Sequence, residues 1–309
     1  MKTAILFSGQ GAQYPGMMLD IADAFKEAGD LFALADSALN RSFYDFIAHS
    51  DQETLNQTRN TQPCMLVCEL AALRVLQSMG LPYDAVCGFS LGEWAAVVAC
   101  GALGEADALQ MIVRRADAMQ RSVPEGMGAM AYILGQSDEF VEAYCKELGD
   151  VAPANYNGQG NISVAGTAEA IDRFLTKGEQ DGYMVGRIPV SIPSHCWLME
   201  PAARELEPYV YDLEMCAPTK QLYMNATGKT ASDVGEIKNN LIRQLTSPVL
   251  FRQTVDALLQ EGFDTFIEVG PGKTLSKMVK KAAKQKKAGV QILQANSVEH
   301  MRELQSLLP

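Results

Sequence analysis

Gly88-Phe89-Ser90-Leu91-Gly92 sets a serine between two glycines in a GxSxG pattern. Residues 85–89 read as a short buried strand and residues 91–98 as a helix. An ordinary turn can carry the same five residues, but a strand before and a helix after is the context of a nucleophile elbow. Glycines keep side chains out of so sharp a turn. The serine hydroxyl is then lifted to the start of the next helix, where unpaired backbone N–H groups can stabilise an oxyanion.

A serine nucleophile needs a base, and the chain has three histidines: His49, His195 and His300. His49 lies in the polar stretch Ala48-His49-Ser50-Asp51, and His300 on a surface-like helix near the C-terminus. Elimination favours His195, in Ile192-Pro193-Ser194-His195-Cys196-Trp197, over a structural histidine beside proline and tryptophan. Arg114 and Arg115 stand about 100° apart around an amphipathic helix, so they cannot both face solvent squarely. One of the two can point inward, where a guanidinium needs a carboxylate partner. Gly9-Gln10-Gly11-Ala12-Gln13 follows the first strand. It is either a plain strand-ending turn or a backbone N–H donor aimed across the sheet edge at Ser90. Lys273, Lys277, Lys280, Lys281, Lys284, Lys286 and Lys287 cluster late in the chain. They read as a solvated face or as a docking surface for an acidic partner or coenzyme phosphates.

The elements that must position these residues alternate along the chain. Strands are predicted over 3–7, 85–89, 222–225, 265–269 and 290–293. Helices are predicted over 21–39, 62–79, 91–98, 105–122, 200–211, 234–245, 251–261, 274–286 and 298–307. This alternation predicts an α/β fold with an open, largely parallel sheet covered on both faces. Between Pro124-Glu125-Gly126 and Pro193 the order changes to β-α-β-β-α-β, the ferredoxin-like pattern. The expected organisation is a large domain, residues 1–126 and 193–309, with a small ferredoxin-like domain, 127–192, inserted.

Composition bounds the rest. The 309 residues are 48% hydrophobic and 20% charged, a globular balance. The net charge of −11 disfavours nucleic acid as a partner. No apolar run approaches the ~20 residues of a membrane span. The N-terminus runs from a short strand into a glycine turn and does not read as a signal peptide. Seven cysteines without a CxxC pair read as reduced thiols of a cytoplasmic protein, with no zinc site.

Taken together, several blocks resemble the malonyl-CoA:acyl-carrier-protein transacylases, which share an acyltransferase family with polyketide synthase domains. They are Phe7-Ser8-Gly9-Gln10-Gly11-Ala12-Gln13, Thr61-Gln62-Pro63, Gly88-Phe89-Ser90-Leu91-Gly92-Glu93, Pro124-Glu125-Gly126-Met127-Gly128-Ala129-Met130, Val190-Ser191-Ile192-Pro193-Ser194-His195-Cys196 and Glu268-Val269-Gly270-Pro271-Gly272-Lys273. The resemblance implies an α/β-hydrolase-like large domain. It also implies that Ser90 accepts the acyl group and that His195 is its base and later its acid. Arg115 would hold the malonyl carboxylate, with Gln62 beside it, and the N–H groups of Gln10 and Leu91 would form the oxyanion hole. A backbone carbonyl, mapped to Leu250, would orient His195 in place of a triad aspartate. Malonyl-CoA and acyl carrier protein are the implied partners, the lysines from Lys273 to Lys281 a docking surface, the state a monomer, and no cofactor is implied.

Three departures stand out: Phe89 where most relatives carry His, Leu250-Phe251 where many carry Gln-Trp, and Asn161 where many carry Gln after Asn155 and Asn157. The implied reaction is ping-pong transfer through malonyl-Ser90. The alternatives are a loader of polyketide carrier proteins, an editing hydrolase using the same Ser-His pair, and a catalytically dead docking module.

Overall fold

Thr3–Phe7 forms a strand buried on both faces, with Ile5 and Phe7 packed to one side and Ala4 and Leu6 to the other. That two-sided burial marks an interior strand of a sheet covered by helices. The computed structural model describes residues 2–190 and 192–308, so Ser191 of the block around His195 lies outside the described residues. The strands are β1 (Thr3–Phe7), β2 (Ala85–Gly88), β3 (Gly128–Leu134), β4 (Val151–Gly158), β5 (Asn161–Thr167), β6 (Met184–Ile188), β7 (Gln221–Met224), β8 (Lys229–Ala231), β9 (Thr265–Val269) and β10 (Gln291–Ala295).

Six of them form one sheet in the order β10-β9-β1-β2-β7-β8, parallel except for the β7–β8 pair. Phe7 lies opposite both Gly88 and Val269. The segments leaving β1, β2 and β9 therefore emerge side by side at one edge, where ligands of open α/β sheets bind. The larger core lies on the Ile5/Phe7 face under helices such as Thr58–Ser78 and Glu105–Ser122. Helices Phe251–Gln260 and Thr274–Lys286 cover the opposite face.

β4-β5-β3-β6 make a second, wholly antiparallel sheet. Helices Asp138–Leu148 and Ala168–Gln180 pack on one face through Val141, Tyr144, Ile171 and Phe174. The other face carries Met130, Ala154 and Ala165 against Cys196. A short parallel bridge ties this sheet to the rest: Val249 N–H donates to Ala154 O, and Tyr156 N–H donates to Val249 O, both at 2.9 Å. Among the described residues no helix is long and apolar enough to cross a membrane.

The mixed α/β reading and most element positions match the structure, and the differences have local causes. The helix expected over 21–39 is two, Leu19–Ala24 and Lys26–Leu39, because Phe25 is extended (φ −123°, ψ 122°). The helix expected from residue 62 begins at Thr58. The apolar repeat Leu66, Leu70, Leu73 and Leu76 sets the expected start, and the polar residues before it carry no such periodicity. The preceding turn is instead held by Asn60 and Thr61 N–H donating to Gln57 O at 2.8 and 2.9 Å. Short helices Phe43–His49 and Gln52–Asn56 and the three-residue edge strand β8 carry too little periodicity to register in the sequence.

Phe174 is fully buried beneath the antiparallel sheet. Phe174→Ala is expected to lower unfolding free energy by about 3–5 kcal/mol in urea titration, and a loss under about 1 kcal/mol would contradict this packing.

Candidate active site

The turn after β2 is built around two glycines that tolerate no side chain. A Cβ on Gly88 would lie 2.0 Å from the Gly92 backbone, and one on Gly92 would lie 2.5 Å from the carbonyls of Phe7 and Ser8. Between them Ser90 takes a left-handed backbone, φ 55°. That conformation is costly outside glycine and persists only where surroundings impose it. Here Asn225 imposes it: Ser90 N–H donates to Asn225 Oδ1 at 2.7 Å, and Asn225 Nδ2 donates to Gly88 O at 2.6 Å. The helix Gly92–Ala99 follows directly.

His195 arrives on the segment that returns from the antiparallel sheet, also left-handed (φ 63°) and 3% exposed. Its Nε2 lies 2.8 Å from Ser90 Oγ and its Nδ1 lies 2.8 Å from Gln244 O. A carbonyl only accepts, so Nδ1 carries the proton and Nε2 presents its lone pair to the serine hydroxyl. Burial pushes the imidazole down to about 4; the Gln244 carbonyl opposes this and the Arg115 charge adds to it. The ring is therefore neutral near pH 7 and able to take a proton.

Here the expectation about Leu250 is corrected. The carbonyl that meets His195 belongs to Gln244. Gln244 sits in the last turn of helix Val234–Thr246, where carbonyls have no intrahelical partner and are free to accept. Leu250 lies past the helix end, packs against the antiparallel sheet's core, and accepts from Thr254 N–H.

Arg115, from helix Glu105–Ser122, is the inward member of its pair, 2% exposed. Its guanidinium donates to Gln62 Oε1, to Gln244 Oε1 at 2.8 Å and to Ser90 Oγ at 3.2 Å. Its Nε has no acceptor, and among the described residues no carboxylate lies within ion-pair distance. Burial lowers its pKa to about 10, which leaves it charged at neutral pH. Arg114 instead stacks on Tyr209 at 4.4 Å.

Ser90, His195, Arg115, Gln10, Leu91 and Gln62 all line one cavity of about 200 Å³. Among the described residues the Gln10 and Leu91 N–H groups have no backbone acceptor, as an oxyanion hole requires. Phe89 lines the same cavity and meets Phe251 edge to face at 5.6 Å, giving that wall an apolar surface. Asn155, Asn157 and Ser163 close it from the antiparallel sheet. His49 is exposed at the end of helix Phe43–His49, and His300 is bound to Ser297 and Asn296. Lys273, Lys277, Lys280 and Lys281 are exposed. Lys281 lines a neighbouring cleft of about 310 Å³ that shares Asn157 and Met278 with the Ser90 cavity.

Sequence reasoning missed Gln244, Asn225 and the role of Glu93. The signal for Gln244 was present: it occupies a core position of an amphipathic helix, in register with Ile237, Leu241 and Leu245, where a polar residue demands an explanation.

Residues 5–305 match the family model described as the acyl transferase domain. The malonyl CoA-acyl carrier protein transacylase of Escherichia coli strain K12 is 36% identical over 283 residues, covering 90% of this chain and 92% of that protein. An acyl carrier protein S-malonyltransferase from Vibrio cholerae superposes with a TM-score of 0.93 at 35% identity, covering 98% of this chain and all of the other. A malonyl-transacylase solved in complex with its type II PKS acyl-carrier protein superposes with a TM-score of 0.94 at 32% identity, covering 99% of each chain.

A serine-directed fluorophosphonate should label Ser90 at a rate that needs the neutral imidazole. The rate is expected to hold from about pH 8 to below 6 and to fall only as pH approaches about 4, where Nε2 becomes protonated. A half-loss at the ordinary histidine value of 6.5 would contradict the buried, charge-depressed ring.

Proposed function

The chain belongs to the acyl transferase domain family, and on that premise we propose that it moves a malonyl group from malonyl-CoA to the phosphopantetheine thiol of acyl carrier protein. The observation that carries the choice of acyl group is Arg115, a buried cation beside the serine with no carboxylate of its own. A malonyl carboxylate supplies the missing anion, whereas an acetyl group leaves a buried charge unpaired.

In this reading Ser90 Oγ attacks the thioester carbonyl while its proton passes to His195 Nε2, 2.8 Å away. The Gln10 and Leu91 N–H groups take the developing oxyanion, an effect of about 2.7–4 kcal/mol per donor. The C–S bond breaks, and coenzyme A leaves as a thiol with the proton from His195. The carrier's thiol then gives its proton to His195 and attacks malonyl-Ser90. Collapse of that second tetrahedral intermediate returns the proton to Ser90. Gln244 O holds the imidazole in the tautomer both halves need. The imidazolium that forms is compensated by this carbonyl and by no aspartate.

The remaining parts of the reading concern architecture and partners. Residues 1–126 and 193–309 form an α/β-hydrolase-like catalytic domain and residues 127–192 a ferredoxin-like one. The strand order β4-β5-β3-β6, with two helices on one face, supports the latter. The acidic carrier docks near Lys273, Lys277, Lys280 and Lys281. Their exposure and the cleft leading from Lys281 toward the Ser90 cavity support this. The enzyme acts as a cytoplasmic monomer in fatty acid synthesis. A second setting, loading of polyketide carriers, is favoured by the superposition on a malonyl-transacylase solved with its type II PKS acyl-carrier protein.

Incubation with malonyl-CoA should give an adduct of malonyl mass on Ser90, absent from Ser90→Ala and discharged by holo-acyl carrier protein faster than by water. Preferential loss to water would instead mark a hydrolase. Arg115→Ala should lower malonyl transfer by about 100-fold or more while sparing acetyl transfer, since it removes a charge-assisted pair worth several kcal/mol. An unchanged malonyl-to-acetyl ratio would remove Arg115 as selector. Charge reversal at Lys280 and Lys281 should raise KM for the carrier and leave KM for malonyl-CoA alone, and an unchanged carrier KM would move the docking surface elsewhere.

A further inference from the structure

Glu93 is fully buried in the first turn of the helix that follows Ser90, and among the described residues no lysine or arginine pairs with it. It touches none of the reacting atoms. Its Oε1 accepts from Asn225 N–H at 2.5 Å and its Oε2 from Gln244 Nε2 at 2.6 Å. Those are the two residues that hold the reactive groups. Asn225 Oδ1 accepts from Ser90 N–H. Gln244 Nε2 also donates to Ser90 O at 2.9 Å, its Oε1 accepts from Arg115, and its carbonyl accepts from His195 Nδ1. We propose that Glu93 is the positioning residue of this site, a single acceptor that fixes the Gln244 amide and the Asn225 backbone and, through them, aligns nucleophile, base and guanidinium. The proposal rests on the acyl-transfer reading and deepens it.

The argument is one of hydrogen-bond polarity. An amide has a donating and an accepting end, and the Gln244 side chain is useful only one way round: oxygen toward Arg115, nitrogen toward Ser90 O. Arg115 can only donate and the Ser90 carbonyl can only accept, so the amide fits between them in a single orientation, and Glu93 Oε2 accepts from the nitrogen that this orientation presents. Burying a carboxyl without a cation is costly unless every lone pair is used. Burial accordingly raises the Glu93 pKa to about 8, against its two donors and the charge of Arg115. Such a cost is expected at a functional site and out of place in an ordinary core.

Glu93→Gln keeps the shape but puts an amide that can donate where only an acceptor fits both partners. In steady-state transfer from malonyl-CoA, its kcat should fall about 10- to 100-fold, the scale of a misaligned constellation, with KM changed less than about threefold. Fluorophosphonate labelling of Ser90 should slow by a similar factor, and the melting temperature should stay within about 5 °C of the parent. Gln244→Ala, which deletes the side chain and keeps the carbonyl, should cost kcat similarly. The double variant should be no worse than the poorer single one, because both remove one coupled unit. A folded Glu93→Gln enzyme with kcat and labelling within about threefold of the parent, or additive losses in the double variant, would overturn the proposal. If Glu93→Gln does not fold, Gln244→Ala decides alone: a tenfold or greater kcat loss at constant KM supports the proposal, and a smaller one overturns it. Failure of the parent to form a malonyl adduct would instead defeat the acyl-transfer reading and leave the labelling test standing.

Discussion

The structure depends most on one hydrogen bond, from His195 Nδ1–H to the carbonyl oxygen of Gln244. A carboxylate in that place would tolerate a charged ring and draw its pKa upward; a carbonyl gives orientation with only partial charge. The imidazole is thus held neutral by burial and pointed by a neutral acceptor. Its lone pair can aim only at Ser90. The carbonyl comes from a helix end, where the chain leaves such groups unsatisfied by geometry. Fold and chemistry meet at that point: terminating the helix Val234–Thr246 where it does is what supplies the acceptor.

Around that bond lies a cavity assembled from every layer of the molecule. The parallel sheet contributes the segments after β1 and β2, the covering helices contribute Gln62 and Arg115, with Gln244 behind Arg115, and the antiparallel sheet contributes Asn155, Asn157 and Ser163. The last group is held in place by the bridge between β4 and Val249. Two backbone hydrogen bonds there fix the distance across the cleft more firmly than side-chain packing alone, because backbone groups in a bridge have no rotamers to lose.

How much of this could be read from the residues follows from how local each feature is. Ser90 was legible because a sharp turn leaves a local signature, two glycines with a strand before and a helix after. The strand β9 and the helices Glu105–Ser122 and Thr274–Lys286 were legible to the residue because their periodicity is strong and their ends are marked. His195 was reachable by elimination only because histidine is scarce in this chain. The inward turn of Arg115, and not Arg114, depends on how the helix is rolled against its neighbours, which is tertiary information. Gln244 was misplaced by six positions to Leu250 because a backbone carbonyl carries no side-chain signal. Any residue can supply it, so only the path of the chain decides which one does. Glu93 and Asn225 stayed silent for the same reason, their function lying in contacts between segments more than a hundred residues apart in sequence.

The left-handed backbones at Ser90 and His195 carry a consequence beyond catalysis. A branched Cβ is the side chain least compatible with that region of conformational space. Threonine, the other aliphatic alcohol, would bring a suitable oxygen on an unsuitable carbon, and it would do so between two glycines at which even an added Cβ would meet backbone at 2.0 and 2.5 Å. Cysteine, unbranched, meets no such barrier. The elbow therefore discriminates among possible nucleophiles by the shape of the carbon that carries them before their acidity matters, and in this fold the route from oxygen to sulfur chemistry is sterically shorter than the route from one alcohol to the other.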